Sequence, residues 1–336
     1  MQRFREGDFI ESIEGLIFDV KGLVHPPDRV IAFVRYFPSP EGNRERNGIR
    51  YRKVYDLDER FDLLKKHFPK YLVYDPVLGE KMVEVPTERV ARHYQPICKL
   101  VQLQSSSNVN SLENKTLNFV NFITDTANIS RGKIGVSGSI LVGLASSSSD
   151  LDLIIYGERN ALKVDIALKK HLEEGKRLKK FNPEMLKKKH EDRCMKNGIS
   201  LENYVFHELR KSFQGSFDGT EFFIRYVKDW DELEEAYGEN LYASMGRVKA
   251  RGTVVDDSDS LLTPCFYKLD AVEVVEGTAA DPISGISSFR GRYCEQACVG
   301  ESILACGKLE RVIGRGGTSY RLLLGNHPED FMVVIR

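Results

Sequence analysis

The sequence lacks the marks of a secreted or membrane protein. Its six cysteines are scattered through 336 residues without a CxxC pair, which argues against a disulfide scaffold and fits no zinc template. The N-terminal stretch MQRFREGDFIESIEG carries charges where a signal peptide needs an apolar run. No window approaches the ~20 uncharged residues of a membrane span. We therefore expect a cytoplasmic protein with reduced thiols and no membrane partner, although a disulfide stays open for a hyperthermophilic source.

The chain also lacks net charge, because 49 lysines and arginines balance 49 aspartates and glutamates. This balance argues against a protein whose entire surface binds nucleic acid or acidic membrane. The charges are instead grouped: basic residues concentrate at 44–53 and 163–193, and an acidic run without a basic residue occupies 229–240. Each basic stretch is interpreted either as a solvated surface or as a local face that binds phosphate.

Length and composition predict three domains. A chain of 336 residues is long for a single hydrophobic core. A polar stretch at 102–111 and the acidic run at 229–240 mark the expected boundaries. The predicted segments are a small α+β domain at 1–100, an α/β domain at 105–230, and an all-β barrel at 241–336, for which an oligonucleotide-binding (OB) type is one candidate. Barrels of this size also bind proteins, so the fold does not give the function.

The strongest chemical signal is GVSGSILVGLASSSSDLDLIIYG at residues 135–157. Gly138 lets a backbone turn approach a ligand closely, and the amides and hydroxyl of Ser139 can hold phosphate oxygens. Asp150 and Asp152 stand two apart at the head of an apolar strand, so alternation places both carboxylates on one face. Adjacent carboxylates repel each other unless a cation lies between them. A phosphate-binding turn beside paired aspartates therefore indicates metal-assisted nucleotidyl transfer.

The pattern Gly138-Ser139-x3-Gly143-x6-Asp150-x-Asp152 resembles the signature of the DNA polymerase beta-type nucleotidyltransferase superfamily. Its spacing is most similar to that of the minimal nucleotidyltransferases of archaea and bacteria. The resemblance is specific within 135–157 and extends more loosely over 110–230. It implies that the Gly-Ser turn binds a triphosphate and that three carboxylates hold two magnesium ions, with manganese as an alternative.

Further positions bear on this comparison. The third carboxylate must come from a later strand, and Glu221 in TEFFIRYV is the first candidate, ahead of Asp218. Family members more often use aspartate there, and many have an arginine where this chain has Val142. Arg210 and Lys211, on a helix that precedes Glu221, are candidates for triphosphate contacts.

The sequence thus predicts transfer of a nucleoside monophosphate from a nucleoside triphosphate, such as ATP, to a hydroxyl acceptor. Asp150, Asp152 and Glu221 are the expected metal ligands. The acceptor is open among RNA (including tRNA), DNA, a protein hydroxyl and a small molecule. The alternative is a catalytically inactive nucleotidyltransferase fold that binds nucleic acid or protein. A glycine-rich stretch at 313–320 is interpreted as a hairpin turn, because no helix follows it.

Overall fold

A computed structural model describes residues 2–194, 196–277 and 282–336. The chain forms two compact units. The first extends to Asp75 and includes Lys81–Leu178 and Phe213–Tyr237, and the second comprises Pro76–Glu80, Lys179–Ser212 and the chain from Gly238 onward. Of the helices in these ranges, none combines the length and the apolar character of a membrane span.

The N-terminal part of the first unit is a mixed helix and sheet structure, as expected. Its sheet has the order β4-β5-β3-β2-β1-β8, and β7 pairs with β3 and β6. The strands are β1 (Phe9–Ser12), β2 (Ile17–Val20), β3 (Arg29–Pro38), β4 (Arg44–Arg46), β5 (Ile49–Lys53), β6 (Leu72–Asp75), β7 (Glu80–Pro86) and β8 (Val90–Tyr94). Helix α1 (Leu57–His67) begins after Asp56, whose side chain accepts a hydrogen bond from the Glu59 amide.

The second sheet of this unit has the order β11-β12-β13-β10-β9. Its strands are β9 (Ile134–Val136), β10 (Leu151–Tyr156), β11 (Leu178–Lys179), β12 (Gln214–Phe217) and β13 (Thr220–Val227). Strands β10 and β13 are parallel, with Asp152 level with Phe223. The helices of this part are α2 (Pro96–Ser105), α3 (Ser111–Ala127), α4 (Gly138–Leu141) and α5 (Glu158–Glu174).

Helix α3 shows why this region folds as the sequence suggests. Asn110 and Glu113 form a reciprocal capping box at its start, which satisfies amides that lack a partner within the helix. The buried residues of the helix recur three or four positions apart, as an amphipathic helix requires: Thr116, Phe119, Val120, Ile123 and Ala127. Phe119 stacks on Phe217 of β12 with ring centroids 4.6 Å apart.

In the first unit, the N-terminal segment and helix α2 contact strands of the second sheet. The Arg5 guanidinium lies 3.5 Å from the centroid of the Tyr156 ring. A side chain added at Gly135 of β9 would lie 2.4 Å from Pro96, so glycine is required for α2 to approach. The stretch at 102–111, predicted as a linker, begins instead within α2, which continues to Ser105. Residues on both sides of the expected boundary near 100 belong to one unit, and independent folding of the three predicted domains stays a prediction.

The second unit contains helices α6 (Pro183–Cys194) and α7 (Leu201–Arg210) and a six-stranded sheet. The strands are β14 (Leu241–Asp256), β15 (Cys265–Gly277), β16 (Ile283–Ser288), β17 (Ser302–Gly314), β18 (Gly317–Leu324) and β19 (Phe331–Val334). Besides the order β14-β15-β16-β18-β17-β19, β14 pairs with β17, so the pairing path returns to its first strand. The hairpin predicted at 313–320 is confirmed, because β17 and β18 pair up to Gly314 and Gly317.

Candidate active site

The Gly-Ser turn lies between two paired strands and directly against Asp152. The Ser137 amide donates to the Asp152 carbonyl oxygen at 2.9 Å, and the Ser137 hydroxyl donates to the Gly7 carbonyl at 2.8 Å. Gly138 has a φ of +61°, which favours glycine. A Cβ at this position would lie 1.9 Å from Asp152 Oδ2. The turn therefore lies closer to the Asp152 carboxylate than any residue with a Cβ atom would permit.

The pKa of the Asp152 carboxyl reflects both burial and its charged neighbours. Burial is the largest cause and, together with the charge of the exposed Asp150, raises the pKa to about 6 against the opposing effect of Lys53, Arg225 and Arg35. Each of these effects has the sign expected for a carboxylate. Asp152 thus lies near one further carboxylate and three cationic side chains.

A cavity of about 80 Å³ opens at this position and is lined by both sheets of the first unit. Gly138, Ser139 and Asp152 form one side of it. Its charged lining also includes Asp19, Arg35, Lys53 and Arg225. A cavity with three cations beside a glycine turn is suited to an anionic ligand such as a phosphate chain.

Three residues of the cavity lining were not predicted from the sequence: Arg35, Asp19 and Arg225. Arg225 had a detectable signal, because it is a charged residue within the otherwise apolar strand β13. Arg35 and Asp19 come from β3 and β2, and nothing in their local pattern connects them with a motif more than 100 residues later. Lys53 was part of the basic stretch at 44–53, whose role was left open.

A buried ionic network fixes Arg225 behind the cavity. Glu6 is fully buried, and its Oε1 pairs with Lys21 Nζ at 3.0 Å and with Arg225 Nη1 at 2.5 Å. Its Oε2 accepts a hydrogen bond from the Gly22 amide at 2.7 Å. Asp19 pairs with Lys21 at 2.7 Å. The N-terminal segment therefore anchors a side chain of β13 in the sheet β11-β12-β13-β10-β9, which carries Asp152 and is called here the nucleotide-motif sheet.

The predicted third carboxylate, Glu221, lies on the face of the sheet that bears Asp152. Phe223 is level with Asp152 in the parallel β10–β13 pair, and Glu221 precedes Phe223 by two residues, so its side chain shares that face. In the described part of the chain, however, no three His, Cys, Asp or Glu side chains are grouped closely enough to hold a metal ion. Asp218 pairs with Arg177 in an exposed position. Glu221 as a ligand stays a prediction.

The carboxylates present fit a magnesium ion that also binds substrate. Mg²⁺ is commonly held by one or two carboxylates together with substrate phosphates. Asp150 and Asp152 provide such a pair, and Asp152 is next to the cationic cavity. A second ion would need a further ligand, which makes Glu221 the residue on which the expected two-ion arrangement depends.

The basic residues singled out elsewhere have defined contacts. Arg210 pairs with Glu301 at 2.9 Å, and the buried Lys211 pairs with Glu208 and donates to the Arg292 carbonyl at 2.7 Å. Neither is among the residues that line the cavity in the first unit. Their predicted contact with a triphosphate stays a prediction, and these ion pairs account for their positions.

Arginines of the basic stretch at 44–53 hold the loop that follows the Gly-Ser turn. Arg46 Nη1 donates to the Val142 carbonyl at 3.0 Å and Arg44 Nη1 to the Leu144 carbonyl at 3.4 Å. Val142, the position at which the family resemblance implied an arginine, is buried in an apolar cluster with Tyr36 and Leu144. The apolar side chain of Val142 thus packs this loop against the first sheet.

The comparisons with known proteins bear on this geometry. A family model described as "Nucleotidyltransferase domain" matches residues 114–207. An uncharacterized protein of Methanocaldococcus jannaschii is 33% identical over 343 aligned positions, which cover 99% of this chain and 99% of that protein. The chain belongs to the nucleotidyltransferase superfamily. The family match includes the Gly-Ser turn and both aspartates and ends before β13, and no solved structure matches the chain significantly.

The close approach of Gly138 to Asp152 leads to a prediction about the stability of the first unit. We expect Gly138→Ala to destabilise the first unit by about 2–4 kcal/mol, since it combines left-handed backbone strain of about 1–2 kcal/mol with overpacking. Gly175 is a matched control, because it has a φ of +64° and nothing within 4 Å of its Cβ position. Gly175→Ala should therefore lose only the strain, about 1–2 kcal/mol.

Urea unfolding can compare the two variants through the fluorescence of Trp230, the chain's single tryptophan, which lies in the first unit. Equal destabilisation by both substitutions would contradict the close contact of Gly138 with Asp152.

Proposed function

We propose that this protein transfers a nucleoside monophosphate from a nucleoside triphosphate to a hydroxyl acceptor, with Mg²⁺ as cofactor. The observation that supports this most is the contact of the Gly138 turn with Asp152 at the mouth of a cavity lined by Arg35, Lys53 and Arg225. A nucleoside triphosphate carries negative charge, which suits a cavity lined by these three cations. The membership of the superfamily supplies the reaction class.

In this proposal each group has a separate role. Asp150 and Asp152 would hold Mg²⁺, which would supply positive charge to stabilise the phosphoryl oxygens during displacement. Ser139 and the backbone of the Gly138 turn orient the triphosphate. Arg35, Lys53 and Arg225 neutralise the charge that builds on the leaving pyrophosphate. The acceptor oxygen forms the new bond to the α-phosphorus, the bond from the α-phosphorus to the bridging oxygen breaks, pyrophosphate leaves with that oxygen, and the acceptor's proton is released to solvent.

We further propose a polynucleotide hydroxyl as the acceptor. The lysine-rich helix α6 carries Lys187–Lys189 on the second unit, and the pairing path of strands β14–β18 in that unit returns to its first strand. A five-stranded closed path is consistent with an OB-type barrel, a fold that commonly binds oligonucleotides. Lysines beside such a barrel favour a phosphate backbone over an uncharged acceptor.

The test is to follow two differently labelled nucleotides. Wild-type protein is incubated with Mg²⁺, pooled tRNA or a DNA oligonucleotide, and each of the four triphosphates labelled at either the α or the γ phosphorus. We expect the α label to enter the acceptor and the γ label to appear in pyrophosphate, with both signals lost on adding EDTA. Transfer of the γ label would show phosphoryl transfer and reject the proposal, as would no transfer of the α label to nucleic acid, protein or small hydroxyl compounds.

One observation favours the alternative, a nucleotidyltransferase fold that only binds its ligand. No group of three carboxylates is assembled in the described ranges. For such a protein, we expect binding of a triphosphate or of RNA without α-label transfer in any acceptor screen. The label experiment therefore separates the two functions directly.

A further inference from the structure

A second polar cavity lies in the second unit, and it is independent of the proposed reaction. It has a volume of about 40 Å³ and is bordered by α6, α7 and the strand sheet. A volume of about 10–15 Å³ holds one water molecule, so the cavity has room for about three oxygen atoms, and the fourth oxygen of a tetrahedral anion would lie toward the partly exposed Arg193. Its charged lining consists of Arg193, Lys211, Arg292 and Glu208.

The cavity is lined by three cationic side chains and one carboxylate. Glu208 is already engaged by Lys211 and by Tyr204, whose hydroxyl lies 3.3 Å from Glu208 Oε2. Arg193 approaches the same carboxylate at 3.7 Å, but its side chain is 38% exposed and marks the open side. His207 adds no charge at neutral pH, because burial lowers its pKa to about 4. An anion is the ligand that restores the charge balance.

Arg292 is the cation with unused donor capacity. Within the described ranges it has no ion-pair partner, and its Nε is buried without a hydrogen bond. Its Nη2 lies 3.4 Å from the Tyr293 hydroxyl, which itself donates to the Asp330 carbonyl. A buried guanidinium N–H without an acceptor is costly, so an acceptor oxygen in the cavity would stabilise it.

Gln296, unlike Arg292, requires a hydrogen-bond donor from the ligand. It is 6% exposed and lines the cavity, and its Oε1 is buried without a partner. Its Nε2 donates to the Met332 carbonyl at 2.8 Å, which fixes the orientation of the amide because the flipped form would oppose two oxygens. The ligand must therefore offer an O–H or N–H donor to Gln296 as well as acceptors to Arg292.

We propose that this cavity binds inorganic phosphate in its hydroxyl-bearing form, HPO₄²⁻. Its charged oxygens accept from Arg292 and Arg193, and its hydroxyl donates to Gln296 Oε1. Sulfate has the same size and charge but no hydroxyl. The dianion of a phosphate monoester also lacks a hydroxyl on phosphorus, since its second pKa is about 6. The arrangement thus selects phosphate over both.

The test is calorimetric titration of the full-length protein with phosphate, sulfate and methyl phosphate at pH 8 in the presence of EDTA. We expect wild type to bind phosphate at least about 10-fold more tightly than sulfate or methyl phosphate, the lower range for one hydrogen bond to a charged group. Arg292→Gln should weaken phosphate binding by about 10- to 100-fold. Gln296→Met should bind phosphate and sulfate equally.

Two controls locate the site. Arg315→Gln removes an arginine whose side chain is 85% exposed and should bind phosphate like wild type. Lys53→Met changes the cavity of the first unit, so a loss of phosphate affinity in this variant would place the bound phosphate in that cavity instead. Circular dichroism checks folding, and the selectivity of Gln296→Met keeps the proposal testable if Arg292→Gln does not fold. Absence of phosphate binding to wild type, unchanged affinity in Arg292→Gln, or loss of affinity in Lys53→Met would overturn the assignment.

Discussion

Replacing Asp152 by asparagine is expected to reduce α-label transfer by about 100- to 1,000-fold, the loss that follows when about 3–4 kcal/mol of transition-state stabilisation is removed. The substitution keeps the shape and the contact with Gly138 but removes one of two carboxylates available to Mg²⁺. Asparagine also leaves Arg35, Lys53 and Arg225 beside a neutral side chain. We therefore expect triphosphate to bind as tightly or more tightly without Mg²⁺ while turnover is lost.

Initial rates and equilibrium binding of each triphosphate measure these two effects separately. Asp125→Asn is the matched control, since Asp125 is an exposed aspartate on α3 of the same unit, and it should retain wild-type activity. Asp150→Asn should resemble Asp152→Asn in rate. Equal Mg²⁺-dependent transfer by Asp152→Asn and wild type would reject the assigned metal site, even if the label experiment had established the reaction.

Glu221→Gln tests in the same assay whether Glu221 is a third metal ligand. A loss comparable to that of Asp152→Asn would support three carboxylates and two metal ions. A rate close to that of wild type would support a site that works with Asp150, Asp152 and substrate phosphates alone, as the described carboxylates suggest.

The parts of the site that could be predicted from sequence are those encoded within a short segment. The turn at Gly138 and the carboxylate of Asp152 are 14 positions apart in the printed sequence, and the strands between which they lie are both apolar. Local alternation and glycine chemistry therefore sufficed to place them together. Helix α3 was likewise predictable, because its capping residues and apolar stripe are local.

The cationic half of the cavity depends on tertiary packing. Arg35 and Lys53 reach Asp152 only because the N-terminal sheet lies against the nucleotide-motif sheet. A single sequence gives the strands of each sheet but not which faces meet, and the polar stretch at 102–111 suggested a separation at that point. The contacts of Arg5 with Tyr156 and of Glu6 with Arg225 connect residues on the two sides of that stretch.

Replacing Glu6 by alanine is expected to cost about 3–5 kcal/mol of the free energy of unfolding of the first unit, the usual result of breaking a buried ion pair. Lys21 and Arg225 would both lose the Glu6 carboxylate, and the Gly22 amide would lose its acceptor. Glu6→Gln should lose less, because its amide oxygen can still accept a hydrogen bond. Glu59→Ala, which breaks the exposed pair with Arg52, should cost no more than about 1 kcal/mol.

Fluorescence of Trp230 during urea unfolding reports on this comparison, because the Arg5 guanidinium lies 4.9 Å from the centroid of its ring. Since Glu6 comes from the N-terminal segment and Arg225 from β13, a large loss in Glu6→Ala would mean that the segments 1–100 and 105–230 unfold together. In that case the N-terminal sheet is an obligatory part of the cavity around Asp152. A cost below about 1 kcal/mol, as for an exposed pair, would instead favour separate N-terminal and nucleotidyltransferase domains and would weaken the assignment of Arg35 and Lys53 to the site.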